Sequence, residues 1–558
     1  MPEAPTANAV NDLADLFWEG FLERAPTYAT QIGDERYDDR WDDPGPEGRR
    51  RDRAATADIH DRAVAMDRHA LEVEDLITLD MLETATRIRL AEHDQHLYEL
   101  AAVDQMAGPQ QAPGELAAVQ RVDTPERFER LIRRLEGYPA YIQAWIGVLD
   151  DAVASGRMAA PAVMERTLEQ VERMVATPVA DSPLVARHPE LPEGQAARLR
   201  RAVAERVLPA QGRFLEAIRA AASRVRAGDG IWSIPDGEAA YRTLILAQTT
   251  LEASPRELHD YGLAQIESID RERSAIAREL GHRDIAGLRA ALDADPANRA
   301  AEPEDLVRLA SAIIERAMAA APRWFGRLPG ASCVVRAVEP FREQEAAPAF
   351  YLPPAADGSR PGTYYINTFR PEERPLHRLA STTFHEAVPG HHFQIALEGE
   401  LENLVPFRRH GSRLAGIAYT EGWGLYSERL ADEMGLYATP QERLGMLDAQ
   451  AWRAARLVVD TGIHAFRWER QRSVDFLVGI GLSPLEASTE TDRYISWPGQ
   501  ALAYMCGQRE IQALRAQLAT RDGDRFDLRG FHDAVLAHGS LPLATLRHEL
   551  PTWVAPLA

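Results

Sequence analysis

The run Thr383-Phe384-His385-Glu386-Ala387-Val388-Pro389-Gly390-His391-His392-Phe393 sets a His-Glu pair, then a Pro-Gly step, then two further imidazoles. Two imidazoles four residues apart share a helix face and can ligate one zinc, while the carboxylate after the first points at the water to be activated. Here the fourth residue after His385 is Pro389, and the next imidazoles are His391 and His392. Proline removes a backbone donor and clashes with the preceding turn, so a helix beginning near Pro375 must bend or bulge between Val388 and Gly390. A two-residue bulge would bring His391 beside His385, whereas a straight helix would carry His392 on that face two turns away. His385 and His391 are therefore the expected ligands, with His392 the alternative to His391, and Glu386 is the expected base.

A tetrahedral catalytic zinc takes a third protein ligand and keeps one position open. Glu421, in Thr420-Glu421-Gly422-Trp423-Gly424, is the candidate, and Glu428 lies on the same helix face as a carboxylate to orient a ligand or as a solvated neighbour of Arg429. Arg456, Asp460 and His464 recur every four residues. Asp460 could fix the tautomer of His464, which would then stabilise an oxyanion; a structural ion ladder fits the same spacing. Tyr504 is the other candidate oxyanion donor, and Arg493 or Arg509 could hold a substrate carboxylate in a bidentate pair. Together these groups describe a zinc-dependent hydrolase whose metal-activated water would attack an amide.

Elements able to hold such a site are mostly helical. Leu199, Val203 and Val207, then Phe214, Ile218 and Val225, form an apolar stripe with Pro209 as a kink. Ser254-Pro255-Arg256-Glu257, Thr439-Pro440-Gln441-Glu442 and Ser483-Pro484-Leu485-Glu486 are helix starts, each with a hydroxyl cap, a first-turn proline and a carboxylate three residues on. Cys333-Val334-Val335, Ala349 to Leu352 and Thr363 to Asn367, with a turn at Asp357-Gly358, predict a small sheet just before the metal helix. The acidic, arginine-punctuated stretch from Asp34 to Arg53 reads as solvated surface. Ile234-Pro235-Asp236-Gly237 breaks the helices and suggests two lobes, 1–235 and 236–558, the second catalytic.

The 558 residues have length for two such lobes, and a 45% hydrophobic composition can fill their cores. A formal charge of −22 argues against nucleic acid and anionic membrane surfaces as partners. Two cysteines, Cys333 and Cys506, make no disulfide framework, and Met1 to Asn11 has neither a basic start nor an apolar run. No stretch reaches the roughly 20 apolar residues needed to span a bilayer. A cytoplasmic protein is expected.

The His385-to-His392 string, with Thr420-Glu421-Gly422-Trp423, Asp460 to His464, Pro498 to Tyr504 and Gly539-Ser540-Leu541-Pro542, resembles a bacterial family catalogued as a domain of unknown function. The likeness reaches Arg36-Tyr37-Asp38-Asp39 and Gly230 to Gly237, so it spans nearly the whole chain. That family is similar in plan to the helical zinc peptidases that include thermostable carboxypeptidases, oligopeptidases and angiotensin-converting enzyme. The resemblance implies a mainly α, two-lobed zincin-like architecture around a deep cleft, with a small sheet beside the metal helix. It further implies that short peptides pair with an edge strand at Thr363 to Asn367, beside Tyr365 and Asn367. Two alternatives use the same residues: hydrolysis of a non-peptide amide, ester or lactone, and a non-catalytic helical binding protein whose histidines are structural.

Overall fold

Helix boundaries follow local backbone chemistry. In the computed structural model, which describes residues 7–338, 347–354, 360–402 and 404–555, the Ser254 hydroxyl accepts the Glu257 N–H (3.1 Å) and starts the helix Pro255–Glu279. Thr439 does the same for Glu442 (3.2 Å), at the start of Pro440–His464, and Pro484 opens Pro484–Ser496. Around Pro209, where a kink is expected, helical structure runs on without a break. A π-helical turn, Val203–Val207, precedes a helix Leu208–Ala221 with the proline in its first turn. The wider turn relieves the clash a proline makes with the carbonyl four residues back.

The protein is mainly helical, 72% of it, with one three-stranded sheet. Two compact units divide it: 1–244 with 462–474 and 485–498, and 245–461 with 475–484 and 499–558. The break expected at 235/236 is a short interruption, Ile231–Ser233 in a 3-10 turn and Asp236 at φ 55°, before the helix Gly237–Thr249. The division falls inside that helix.

Unit 1 is built on the helices Ala7–Arg24, Pro46–Val64, Val73–Asp94 and Pro125–Ser155. Its core holds Phe17, Trp18, Phe21, Phe128 and Tyr138. The stretch 34–53, expected as solvated surface, is partly interior. Asp38 is buried and accepts from the Thr30 hydroxyl (2.6 Å), and buried Asp52 binds Arg24 (2.9 Å), Arg89 (2.8 Å) and His93 (2.6 Å). Arg134, also buried, donates to Thr30, Gln120 and the carbonyls of Tyr37 and Arg40. Charged side chains can be interior when every one of them has such partners.

Unit 2 holds the sheet: β1 (Cys333–Ala337), β2 (Ala349–Leu352) and β3 (Gly362–Ile366). The order is β1-β3-β2, with β1 parallel and β2 antiparallel to β3. The segment Thr363 to Asn367 is therefore the central strand and its extension, not an edge, and both sides of its backbone already pair within the sheet. Thr363 and Tyr364, whose side chains leave opposite faces, are both buried there, which matches a strand covered on both faces. The turn expected at Asp357-Gly358 lies outside the described residues.

After the sheet, α1 (Leu379–Glu386) and α2 (His391–Gly399) take the place of one bent helix. The Val388–Pro389 peptide between them is cis. Gly390 makes the turn possible, since a Cβ there would lie 1.9 Å from the His385 carbonyl oxygen and 2.3 Å from that of Phe384. Further on, α3 (Ile417–Glu433) packs along α4 (Ala503–Asp522) at a glycine contact, where a Cβ on Gly507 would sit 1.9 Å from the Ala418 carbonyl.

Candidate metal centre

The break after Glu386 decides which imidazoles meet. Ligand atoms of His385, Glu386 and His391 lie within 4.8 Å of one another. From α3, Glu421 Oε2 stands 3.5 Å from His385 Nε2 and 3.6 Å from His391 Nε2. These separations are long for hydrogen bonds. They suit three atoms sharing one ion, because ligands about 2.1 Å from a metal at tetrahedral angles are roughly 3.4 Å apart.

Room for this arrangement comes from Gly424, one turn after Glu421. A Cβ there would lie 2.8 Å from His385 Cε1, 2.9 Å from its Nε2 and 3.0 Å from His391 Cε1. Trp423 points the other way and donates its indole N–H to the Pro389 carbonyl (2.9 Å), which ties α3 to the break between α1 and α2.

His385 is oriented from behind. Its Nδ1 lies 2.9 Å from Glu428 Oε1, and Glu428 also accepts from the Ser381 hydroxyl (2.9 Å) and the Gln450 amide (3.4 Å). A carboxylate on Nδ1 fixes the tautomer that presents Nε2 as a ligand and raises its basicity. Burial opposes charge on His385, but Glu421 and Glu428 outweigh it and lift the imidazole to about 10. Glu421 is likewise penalised by burial yet held far below the usual carboxylate range by His385 and His391. The pocket thus favours a positive charge among these three groups, as a divalent cation would supply. With Glu428→Gln, metal affinity should fall about 10- to 100-fold while saturating zinc still fills the site, the usual effect of removing an orienting carboxylate. Competition against a chromophoric chelator would measure it, and an unchanged affinity would remove Glu428 from this role.

His392, the alternative ligand, has both nitrogens engaged: Nδ1 with the Tyr351 hydroxyl (2.8 Å) and Nε2 with the Ala331 carbonyl (3.1 Å). Burial pushes it down to about 4, so it is a neutral link from α2 to the sheet. Tyr504, on α4, brings its ring centroid to 6.4 Å from that of His385, with the planes 27° apart.

Other expected residues are placed differently. His464 belongs to unit 1, where its Nδ1 accepts the Ile231 N–H (3.1 Å) and its Nε2 donates to the Tyr494 carbonyl (2.9 Å). Burial pushes it down to about 3, so it is neutral and has no nitrogen left for Asp460 or for an oxyanion. Asp460, in unit 2, instead accepts the Gly499 N–H (3.1 Å). Arg493 belongs to unit 1, 3.6 Å from Glu490, and Arg509 is held by Glu257 (2.9 Å) and Glu510 (3.4 Å). Tyr365 stacks on Phe350 across β2 and β3 (4.9 Å), and the Asn367 side-chain oxygen Oδ1 accepts the Phe369 N–H (3.0 Å).

Sequence reasoning missed Tyr351, Ser381, Gln450 and Gly424 as supports. It also missed Arg456 as a neighbour of the site, its guanidinium carbon lying 4.6 Å from the centre of the Tyr504 ring. Gly424 alone had a signal, the Gly-Trp-Gly spacing that permits close approach; the others come together only through the fold.

The model of a family described as "Bacterial protein of unknown function (DUF885)" matches residues 26–550. Among curated proteins none matches. A crystal structure of a "putative lipoprotein" from Colwellia psychrerythraea is similar over 98% of this chain and 99% of its own, with a TM-score of 0.91 and 26% identity. Another, of a "putative lipoprotein of unknown function" from Shewanella oneidensis, covers 98% of this chain and 100% of its own, with a TM-score of 0.78 and 17% identity. The second likeness is one of fold alone.

Proposed function

The chain belongs to this bacterial family of unknown function, and from the cluster it carries we propose that it is a zinc-dependent hydrolase cleaving short peptides. One observation carries the reading: two imidazole nitrogens and a carboxylate oxygen 3.5 and 3.6 Å apart, with the Glu386 carboxylate beside them. The donor set of two histidines and a glutamate is the kind that holds catalytic zinc in metallopeptidases. His385, His391 and Glu421 would hold the ion, which when bound supplies a Lewis acid that makes water nucleophilic near neutral pH and polarises a carbonyl.

This chain's own residues then have separable tasks. Glu386 takes a proton from the attacking water and returns it to the leaving amine. Tyr504 donates from its hydroxyl to the carbonyl oxygen as negative charge builds there. Glu428 keeps His385 in register. His464 has no part in the reaction, because both its nitrogens are committed within unit 1.

Backbone pairing of an extended peptide, expected along Thr363 to Asn367, is assigned instead to β2, an edge of the described sheet. Its Tyr351 binds His392, the residue next to His391, so β2 is the edge tied to the metal helix. Among the described residues no helix is long and apolar enough to cross a membrane. A cytoplasmic location remains part of the proposal; the lipoprotein names belong to the two similar chains.

The test is metal analysis of purified protein, followed by mass spectrometry of a mixed peptide library with and without chelator. Stoichiometric zinc is expected, with products from short peptides that vanish on chelation and return with zinc. No product from any peptide, alongside turnover of an ester or lactone panel, would move the assignment to a non-peptide hydrolase. Folded, metal-free protein that takes up no zinc would leave a binding protein.

A further inference from the structure

Unit 1 contains a cavity of about 800 Å³, within the range of small-molecule sites. Its wall comes from the loop at Trp41 and Asp42 and from helices Pro46–Val64, Val73–Asp94 and Pro125–Ser155. This cavity shares no residue with the metal cluster.

The wall is rich in charge, so its pairing has to be followed group by group. Arg24, Arg89 and His93 all bind Asp52. Arg51 binds Asp43 (2.8 Å), Arg49 binds Asp151 (2.9 Å), and Arg40 lies 3.7 Å from Asp39. Both oxygens of Asp42 are taken by Thr27, one by its N–H (3.0 Å) and one by its hydroxyl (2.6 Å). Every guanidinium on the wall thus has a carboxylate partner, Arg24 and Arg89 sharing Asp52. Two carboxylates of the wall, Glu23 and Glu92, have no hydrogen bond and no ion pair among the described residues; Glu23 is exposed to solvent, whereas Glu92 is half-buried and the positive groups that act on it, Arg89 and His93, already donate to Asp52. Burial pushes the Glu92 carboxyl above the ordinary range, so its surroundings are poorly solvated.

The rest of the wall is apolar, from Trp41, Trp145, Leu97 and Val148. Trp41 is fixed, its indole N–H donating to the Arg134 carbonyl and its ring stacked on Tyr141 at 4.7 Å. A rigid aromatic wall beside a half-buried carboxylate with no partner selects a cation carried on an apolar body. We propose that this cavity binds a protonated organic amine, with Glu92 receiving the ammonium and Trp41 and Trp145 flanking the body. An anion finds no unpaired guanidinium there, and an uncharged ligand leaves Glu92 as it is.

The probes are tryptamine, its uncharged counterpart tryptophol, and indole-3-propionate, titrated calorimetrically into the full chain at neutral pH. Tryptamine should bind one to one, with tryptophol at least tenfold weaker and the propionate weaker still. E92Q should weaken tryptamine at least tenfold, leave tryptophol unchanged, and melt no lower than the parent, since it removes a half-buried, unpaired charge without removing a bond. Should E92Q fail to fold, Glu92 is structural and the proposal falls unless the parent still prefers the amine tenfold over the alcohol. Equal affinity for amine and alcohol, tighter binding of the propionate, or no saturable heat with any probe would each overturn it.

Discussion

Glu386→Gln should retain zinc and lose turnover by about two to four orders of magnitude, the range usual for removing a general base. The substitution preserves shape and leaves His385, His391 and Glu421 untouched, so the metal content of the purified variant should match that of the parent. Its amide cannot accept a proton from water at any accessible pH. Neither can a neighbour replace it: Glu421 is committed to the two imidazoles, and Glu428 faces the far nitrogen of His385. The loss should therefore appear in kcat, with KM changing little, because Glu386 acts on the transition state more than on bound substrate. Steady-state kinetics on a peptide identified from the library, beside zinc analysis of the same sample, checks both halves. A variant with a tenth or more of parental kcat would strip Glu386 of the role; one without zinc would show it to be a ligand.

What the sequence disclosed, and what it hid, follows from the range of the interactions involved. Helix starts at Ser254 and Thr439 were legible because a cap needs only four consecutive residues. The mainly helical class and the small sheet were legible for similar reasons. Meeting of His385, His391 and Glu421 could be anticipated because ligand chemistry limits the residue types and the Pro-Gly step limits the geometry. Strand order was not legible. Three short apolar runs carry no mark of which lies in the middle, although the near-continuous apolar texture of Thr363 to Ile366 was a hint of burial on both faces. Most of the stretch 34–53 is at the surface as expected, but burial of Asp38 and Asp52 was not legible because their counter-charges come from far away, Arg134 for Asp38 and Arg89 and His93 for Asp52. His464 was misread because a spacing of four suggests Asp460 as partner, whereas backbone groups of Ile231 and Tyr494 take both its nitrogens.

Replacing the two adjacent histidines one at a time should give opposite results, and this separates the metal centre from its scaffold. Zinc sites of four protein ligands bind with about 10–16 kcal/mol, so one ligand is worth roughly 3 kcal/mol and its loss on the order of a hundredfold or more in affinity. His391→Ala removes such a ligand and should leave the purified protein largely free of zinc. Its metal-free melting temperature should fall less than that of His392→Ala: the buried ring leaves a void and Glu421 loses one of its two imidazoles, but His391 Nδ1 makes no hydrogen bond that would be lost. His392→Ala removes no ligand, so zinc should bind with nearly parental affinity. It does break the bonds to Tyr351 and Ala331 and opens space beside Gly362, which a Cβ would bring within 2.6 Å of the ring. Two buried hydrogen bonds and that void should cost about 2–4 kcal/mol of stability in the absence of metal. Chelator competition and thermal melts in EDTA on both variants make the comparison. If His392→Ala lost the zinc and His391→Ala kept it, the roles would be exchanged and α2 would have to turn by one residue to present the other ring.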